Sequence, residues 1–151
     1  MTKLLENLGF LVEAIRHNRL LRRKLAKYSH PLFFMLYLNH YIIKPTADFQ
    51  REIFSLTENK KLDFVVITAF RGSAKSTICT TSFPIWAMIN GSAHFIVIAS
   101  QTRQQAREHL ASIRAELETN RLLKNDLGPF EQESDEWGAF ALSFKQYDTK
   151  I

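Results

Sequence analysis

The sequence is poor in residues that would cross-link or segment a fold. Its 151 residues include one cysteine, five glycines and four prolines. Cys79 therefore has no partner for an internal disulfide, and buried packing on a helix is its expected role. No secretory-signal pattern opens the chain, and the most apolar run, 32–43, covers only about 12 residues, too short to cross a bilayer. The sequence predicts a single-domain protein of a reducing cytoplasm, without contact to a membrane.

Positive charge is confined to one end of the chain. The first 30 residues contain seven basic and two acidic side chains, and the other 121 residues contain 13 of each. The whole net charge of +5 therefore lies in the first fifth of the sequence. Such a segment indicates either an arm that meets nucleic acid or an acidic partner surface, or a solvated helical face.

Residues 69–77, read AFRGSAKST, form the one stretch whose order dictates a chemistry. Against the phosphate-loop pattern G-x-x-x-x-G-K-[ST], Lys75 and Ser76 match, while Ala69 and Ala74 stand in place of glycines. Gly72 keeps the loop flexible. A positive φ at Ala74 would cost about 1 kcal/mol or more, because of its Cβ. The alternative reading is a small-residue loop that caps a helix through Ser73.

The surroundings of the loop favour the phosphate-binding interpretation. A β-branched and aromatic run at 62–68 predicts a buried strand before the loop, and apolar residues up to Ile89 predict a helix after it. A second apolar run at 94–100 predicts the strand that a right-handed crossover requires. The predicted fold class is therefore α/β: a partial P-loop NTPase-type three-layer fold with a parallel sheet, preceded by N-terminal helices.

Periodicity predicts the remaining elements. Helices are expected at 3–27, 31–43, 46–57 and 101–120, and a strand at 140–144 should begin a hairpin whose return strand starts at 150. The predicted organisation is a basic and apolar helical segment at 1–45 and an incomplete P-loop ATPase domain at 46–151.

Together these stretches resemble the amino-terminal part of the large terminase subunit of tailed bacteriophages, the ATPase that drives DNA into a procapsid. The resemblance rests on HPLFFMLYLNHYI followed by PTADFQREIF, on RGSAKST with its arginine ahead of the lysine, on FIVIASQTRQQAREHLASIRAELETN, and on SDEWGAFALSF. It covers most of residues 30–151.

The resemblance implies a site for ATP and Mg²⁺. Lys75 would contact the phosphates, Ser76 the phosphates and Mg²⁺, Arg71 the γ-phosphate, and Gln50 the adenine edge; Gly72, Ser73, Ala74 and Thr77 would complete the loop. Partners implied by the family are double-stranded DNA, a small terminase subunit and a portal protein. A homo-oligomer is implied only for the full-length protein, and the location is the bacterial host cytoplasm.

One motif of that ATPase class is missing. Hydrolysis needs a buried apolar strand that ends in Asp-Glu, and the only such pair, Asp135-Glu136, follows the polar run EQES. The carboxylate cluster of the family's nuclease domain is missing too, so no catalytic residue is assigned. We expect the first part of a longer protein, whether an excised fragment, a split gene or a decayed prophage remnant, with little turnover alone. The alternatives are a nucleic-acid or partner-binding module with a vestigial loop, and another helicase-like or kinase-like P-loop protein.

Overall fold

A computed structural model describes residues 14–15, 17–130 and 137–151. Helices dominate this part of the chain. They are α1 (Arg19–Tyr28), α2 (His30–Tyr37), α3 (Asp48–Glu58), α4 (Phe83–Asn90), α5 (Arg103–Thr119) and α6 (Arg121–Leu127), with 3₁₀ turns at Asn39–Tyr41 and Lys145–Tyr147. The helices expected from periodicity are thus confirmed over 19–28, 30–37, 48–58 and 103–119, while the first 13 residues of the sequence lie outside the described part.

Polar side chains define where several helices begin. Asn18, Thr102 and Asn120 each accept a hydrogen bond from a backbone N–H three residues further on, at the starts of α1, α5 and α6. These bonds satisfy N–H groups that have no partner inside the helix. At the C-terminal end of α4, Gly91 adopts the left-handed conformation with φ 74°, which ends the helix.

The parallel sheet predicted from the sequence is wrong. The sheet in the described residues is a two-stranded antiparallel hairpin, β1 (Ser143–Phe144) with β2 (Thr149–Lys150). Residues 62–68 and 94–100 are not assigned as strands; an isolated parallel bridge joins Phe95 to Lys150. A strand requires hydrogen bonds to a neighbour, and no described segment pairs with 62–68. The α/β three-layer P-loop class is therefore not the observed fold.

The predicted hairpin is confirmed. Ser143 lies opposite Lys150 and Phe144 opposite Thr149. The chain reverses through Lys145–Tyr147 and Asp148, a residue with φ 48° in the region that aspartate tolerates in turns. The buried side chains of Leu142, Phe144 and Ile151 attach the hairpin to the helices.

One apolar core joins the predicted N-terminal segment to the rest of the chain. Phe33 and Tyr37 from α2 are buried with Ile85 and Met88 from α4 and Ile113 from α5 in a single cluster. Most of the segment 62–70 lies outside this cluster, since Phe64 is 83% and Val66 is 69% exposed. The core therefore supports the loop at 69–77 from its C-terminal side, through α4.

The turn between the loop and α4 is a π-helix at Thr77–Ser82. Pro84 explains the wider winding, because proline has no N–H to donate and its ring clashes with the carbonyl four residues earlier. The preceding N–H, that of Phe83, donates to the carbonyl of Ile78, five residues back. Such insertions occur frequently at functional sites.

Candidate phosphate-binding site

The loop at 69–77 contains two left-handed residues close together. Gly72 has φ 84° and Ala74 has φ 63°. Ala74 thus has the positive φ whose cost was considered in the sequence analysis, at a position where the phosphate-loop pattern expects glycine. A non-glycine residue held in this region costs roughly 1–2 kcal/mol and persists only where the surrounding structure fixes it.

Ser73, between these two residues, is the anchor of the loop. It is only 3% exposed, its N–H donates to the carbonyl of Phe70, and its Oγ accepts a long bond of 3.4 Å from the N–H of Lys75. The sequence alternative, a helix cap through Ser73, is not observed: Ala74 is left-handed, and the π-helix begins after Ser76 without a side-chain cap bond. The bond from Lys75 to Ser73 lies within the loop. The lack of this cap does not exclude phosphate binding, because Lys75 and Ser76 lie in the helical turn that leads into the π-helix.

Gln50 lies beside the loop and ties it to α3. Its Nε2 donates to the carbonyl of Ser73 at 3.1 Å, and its Oε1 accepts from the N–H of Ala47 at 3.0 Å. The structure thus brings Gln50 to the predicted site. The amide retains one N–H and one acceptor lone pair beyond these two bonds, so the adenine contact implied by the resemblance stays a prediction.

Two cations lie at the loop without a carboxylate partner among the described residues. Lys75 is half-buried, with its Nζ 3.5 Å from the carbonyl of Ala69, and Arg71 is exposed. Behind them, burial raises the pKa of the Cys79 thiol against the opposing field of Lys75. The mouth of the loop is therefore a positive region that favours an anion.

The metal ligand predicted from the sequence is the hydroxyl of Ser76, which is exposed. No cluster of three or more histidine, cysteine or carboxylate side chains suited to a metal lies within 14–15, 17–130 and 137–151. A single hydroxyl fits Mg²⁺ only when phosphate oxygens and water supply the other ligands. Thr77, the last predicted loop residue, begins the π-helix.

An aromatic pair borders the loop, and the sequence analysis did not identify it as a unit. Phe49 of α3 and Phe70 make an edge-to-face contact with ring centroids 5.3 Å apart. They line a groove of about 320 Å³ between α3 and residues 66–70, and Phe70 is 66% exposed. Their separation by 21 positions hides the contact from any local pattern.

A buried histidine supports the π-helix from behind. The ring nitrogens of His30 lie 2.7 Å from Thr57 Oγ1 and 2.9 Å from Ser82 Oγ, and its ring stacks on Trp86 at 5.0 Å. Burial lowers the pKa of His30 to about 3, so the ring is neutral. The start of α2, the end of α3 and the helix that follows the loop are therefore held together at one polar point.

The basic helix α1 uses part of its charge internally. Arg22 makes two hydrogen bonds to the carboxylate of Asp126, at 2.6 and 2.8 Å, and Tyr37 donates a third. Burial alone would raise the pKa of Asp126, but the bonds from Arg22 and Tyr37 outweigh it and lower the pKa below its ordinary value. Arg19 also lies beside Asp126, with its Nε 3.9 Å from the carboxylate. The other cations of α1, Arg23, Lys24 and Lys27, are exposed.

Comparison with known proteins adds no further constraint. No protein-family model, curated protein or solved structure matches the chain. Over the described ranges, no helix has both the length and the apolar character needed to span a bilayer.

Proposed function

We propose that the loop at 69–77 binds the phosphate groups of a nucleotide. The observation that carries this proposal is the strained turn, with Ala74 at φ 63° directly before Lys75. Left-handed turns present successive backbone N–H groups to one point and make anion-binding concavities. Strain of this kind clusters at ligand-binding sites, where the surrounding structure maintains it.

The ligand proposed is ATP with Mg²⁺, in agreement with the resemblance of the sequence to terminase large subunits. Lys75 neutralises phosphate charge, Arg71 approaches the terminal phosphate, and Ser76 provides the protein ligand of Mg²⁺. The Phe49–Phe70 pair offers an apolar edge for the base beside Gln50. Turnover by this chain is expected to be low, because its sequence has no apolar strand that ends in Asp-Glu.

Ligand-induced stabilisation tests the nucleotide proposal. Mg-ATP at a hundredfold excess over its dissociation constant should raise the free energy of unfolding by about 2.7 kcal/mol. Lys75→Ala should abolish this increase, whereas Lys61→Ala, at an exposed position before the loop, should preserve it. Absence of stabilisation at millimolar Mg-ATP, or an equal effect in both variants, would refute the proposal.

A second candidate function is binding of double-stranded DNA by α1. Arg23, Lys24 and Lys27 are exposed, and no acidic residue occurs between Arg19 and Tyr28. On a helical wheel these three cations fall on one side, opposite the buried Arg22 and Ala26. A helix face that carries only cations is better suited to bind a row of phosphates than a face that carries charges of both signs.

The salt dependence of DNA binding tests this second function. Each phosphate contact contributes about 0.9 to the slope of log affinity against log salt concentration. Replacing Arg23, Lys24 and Lys27 with alanine should therefore reduce the slope by up to about 3. The double variant Lys44→Ala/Arg121→Ala is the control with exposed cations removed elsewhere, and an equal loss in this control would exclude α1 as the contact surface. The small terminase subunit and the portal protein remain partners proposed from the resemblance alone.

A further inference from the structure

A groove formed by residues outside the phosphate loop combines apolar surface with the side chains of Arg103 and Arg107. It measures about 280 Å³ and lies between residues 95–98, the first two turns of α5, residues 139–141 and the end of the hairpin. Its apolar wall includes Phe95, Val97 and Phe140, which are 69%, 72% and 59% exposed. Large apolar side chains gathered in this way mark a binding surface.

Two guanidinium groups lie over the aromatic ring of this groove. The Arg103 Cζ is 4.5 Å and the Arg107 Cζ 4.9 Å from the centroid of Phe140. No described carboxylate forms an ion pair with either arginine, and none of the residues that line the groove is acidic. The ring contacts fix both cations at the rim, so the groove presents localised positive charge beside its apolar wall.

Part of the backbone along the groove has no hydrogen-bond partner among the described residues. The N–H of Ile96 donates to the carbonyl of Lys150, and the N–H of Lys150 donates to the carbonyl of His94. Beyond this point Val97, Ile98 and Ala99 make no backbone hydrogen bond to any described residue. Exposure alternates along 95–99, as in an extended segment. The groove therefore contains an open strand edge, which is the surface that peptide strand addition uses.

We propose that this groove binds an extended peptide segment of a partner protein, one that carries both apolar and acidic side chains. The segment adds as a strand to the edge at 97–99 and packs apolar side chains on Phe95, Val97 and Phe140. Its carboxylates pair with Arg103 and Arg107. Charge complementarity selects an acidic peptide over a basic one, and the open backbone edge selects a peptide over a nucleic acid.

Fluorescence anisotropy with a labelled heptapeptide of alternating valine and glutamate tests the proposal. The control peptides replace glutamate with lysine, or the central valine with proline. The double variant Arg103→Glu/Arg107→Glu should weaken binding of the acidic peptide by about tenfold or more, which corresponds to 1.4 kcal/mol. Arg114→Glu is the matched control, because Arg114 lies on α5 outside the groove and pairs with Glu118 at 3.7 Å.

Hydrogen exchange separates strand addition from simple charge attraction. The acidic peptide should protect amides among Val97, Ile98 and Ala99, and the proline peptide should not. Equal binding of the lysine peptide, protection only elsewhere, or tighter binding of a thymidine decanucleotide than of the acidic peptide would each overturn the proposal. Arg103 and Arg107 are exposed and Arg114 is half-buried, and an unchanged urea midpoint confirms that each variant retains the fold.

Discussion

Replacing Ala74 with glycine measures the strain in the phosphate loop. Ala74 has φ 63°, and a Cβ in this region costs roughly 1–2 kcal/mol. Glycine removes this cost. It also gives the unfolded chain more conformational freedom, which lowers the free energy of unfolding by about 0.5–1 kcal/mol. We therefore expect Ala74→Gly to raise the free energy of unfolding by about 0.5–1 kcal/mol and the melting temperature by about 1–4 °C.

Urea denaturation gives the free energy of unfolding, and a thermal scan gives the melting temperature. The matched control is Ala111→Gly at an exposed position of α5, where glycine should destabilise the protein by about 1 kcal/mol. The two substitutions remove the same methyl group, so opposite signs isolate the backbone conformation. If Ala74→Gly destabilises as much as Ala111→Gly, the left-handed conformation of Ala74 is not present in solution.

The same variant carries a functional readout. Ala74→Gly restores the glycine that the phosphate-loop pattern places before the lysine, and it removes no group that faces the phosphates. The affinity for Mg-ATP should therefore be retained or increased. A clear loss of affinity would contradict the proposed role of this turn.

Three further predictions concern the framework around the site. The pKa of His30 is lowered from 6.5 to about 3, so the unfolded state binds the extra proton and stability should fall as pH drops from 6.5 towards 3, by up to about 1.4 kcal/mol per pH unit. His30→Gln should flatten this dependence in urea titrations, and an unchanged slope would contradict it. Arg22→Ala should destabilise the protein by about 3–5 kcal/mol, because the buried Asp126 carboxylate loses both short bonds from Arg22 and keeps only Tyr37 and the more distant Arg19, at 3.9 Å; partial recovery in the double variant Arg22→Met/Asp126→Leu checks the cause. Gly91→Ala should lower the thermal midpoint through a cost of about 1 kcal/mol at its φ of 74°, whereas Gly138→Ala, whose added Cβ would meet its nearest neighbour at 3.5 Å, should have a smaller effect.

Local sequence patterns predicted the helices well. Ala106, Leu110, Ile113 and Leu117 recur at spacings of four, three and four, which puts them on one face of α5, and three of these four side chains are buried. Pro31 at the start of α2 and Gly91 after α4 set boundaries through their own backbone restrictions. Such signals act within one or two helical turns and need no knowledge of distant contacts.

The prediction of a parallel sheet was wrong because a parallel strand forms only with a partner that is distant in the sequence. The run from Leu62 to Thr68 has the composition of a buried strand, yet composition cannot state which segment will supply its hydrogen bonds. The same limit hid the pair of Arg22 and Asp126, which are 104 positions apart. Because of this contact, part of the basic N-terminal segment packs against α6.

The candidate site was predictable where its residues follow one another in the sequence. The pattern before Lys75 and Ser76 located the loop and identified Ala74 as the position at risk. Gln50 of α3 contacts the loop directly, and His30 of α2 supports the π-helix that follows it. No spacing rule links these residues to the loop: the family resemblance alone suggested Gln50, and nothing in the sequence pointed to His30.

The exposed run at 62–67 affects the tendency of the purified protein to aggregate. An apolar, β-branched segment that lacks proline and has open hydrogen-bonding groups is a template for aggregation. Lys60, Lys61 and Asp63 lie at its start and act as gatekeepers, since charges disfavour stacking of identical strands. Aggregation of this protein should therefore increase with protein concentration, and its solubility should fall when Lys60 and Lys61 are neutralised, even though neither lysine contributes to the core.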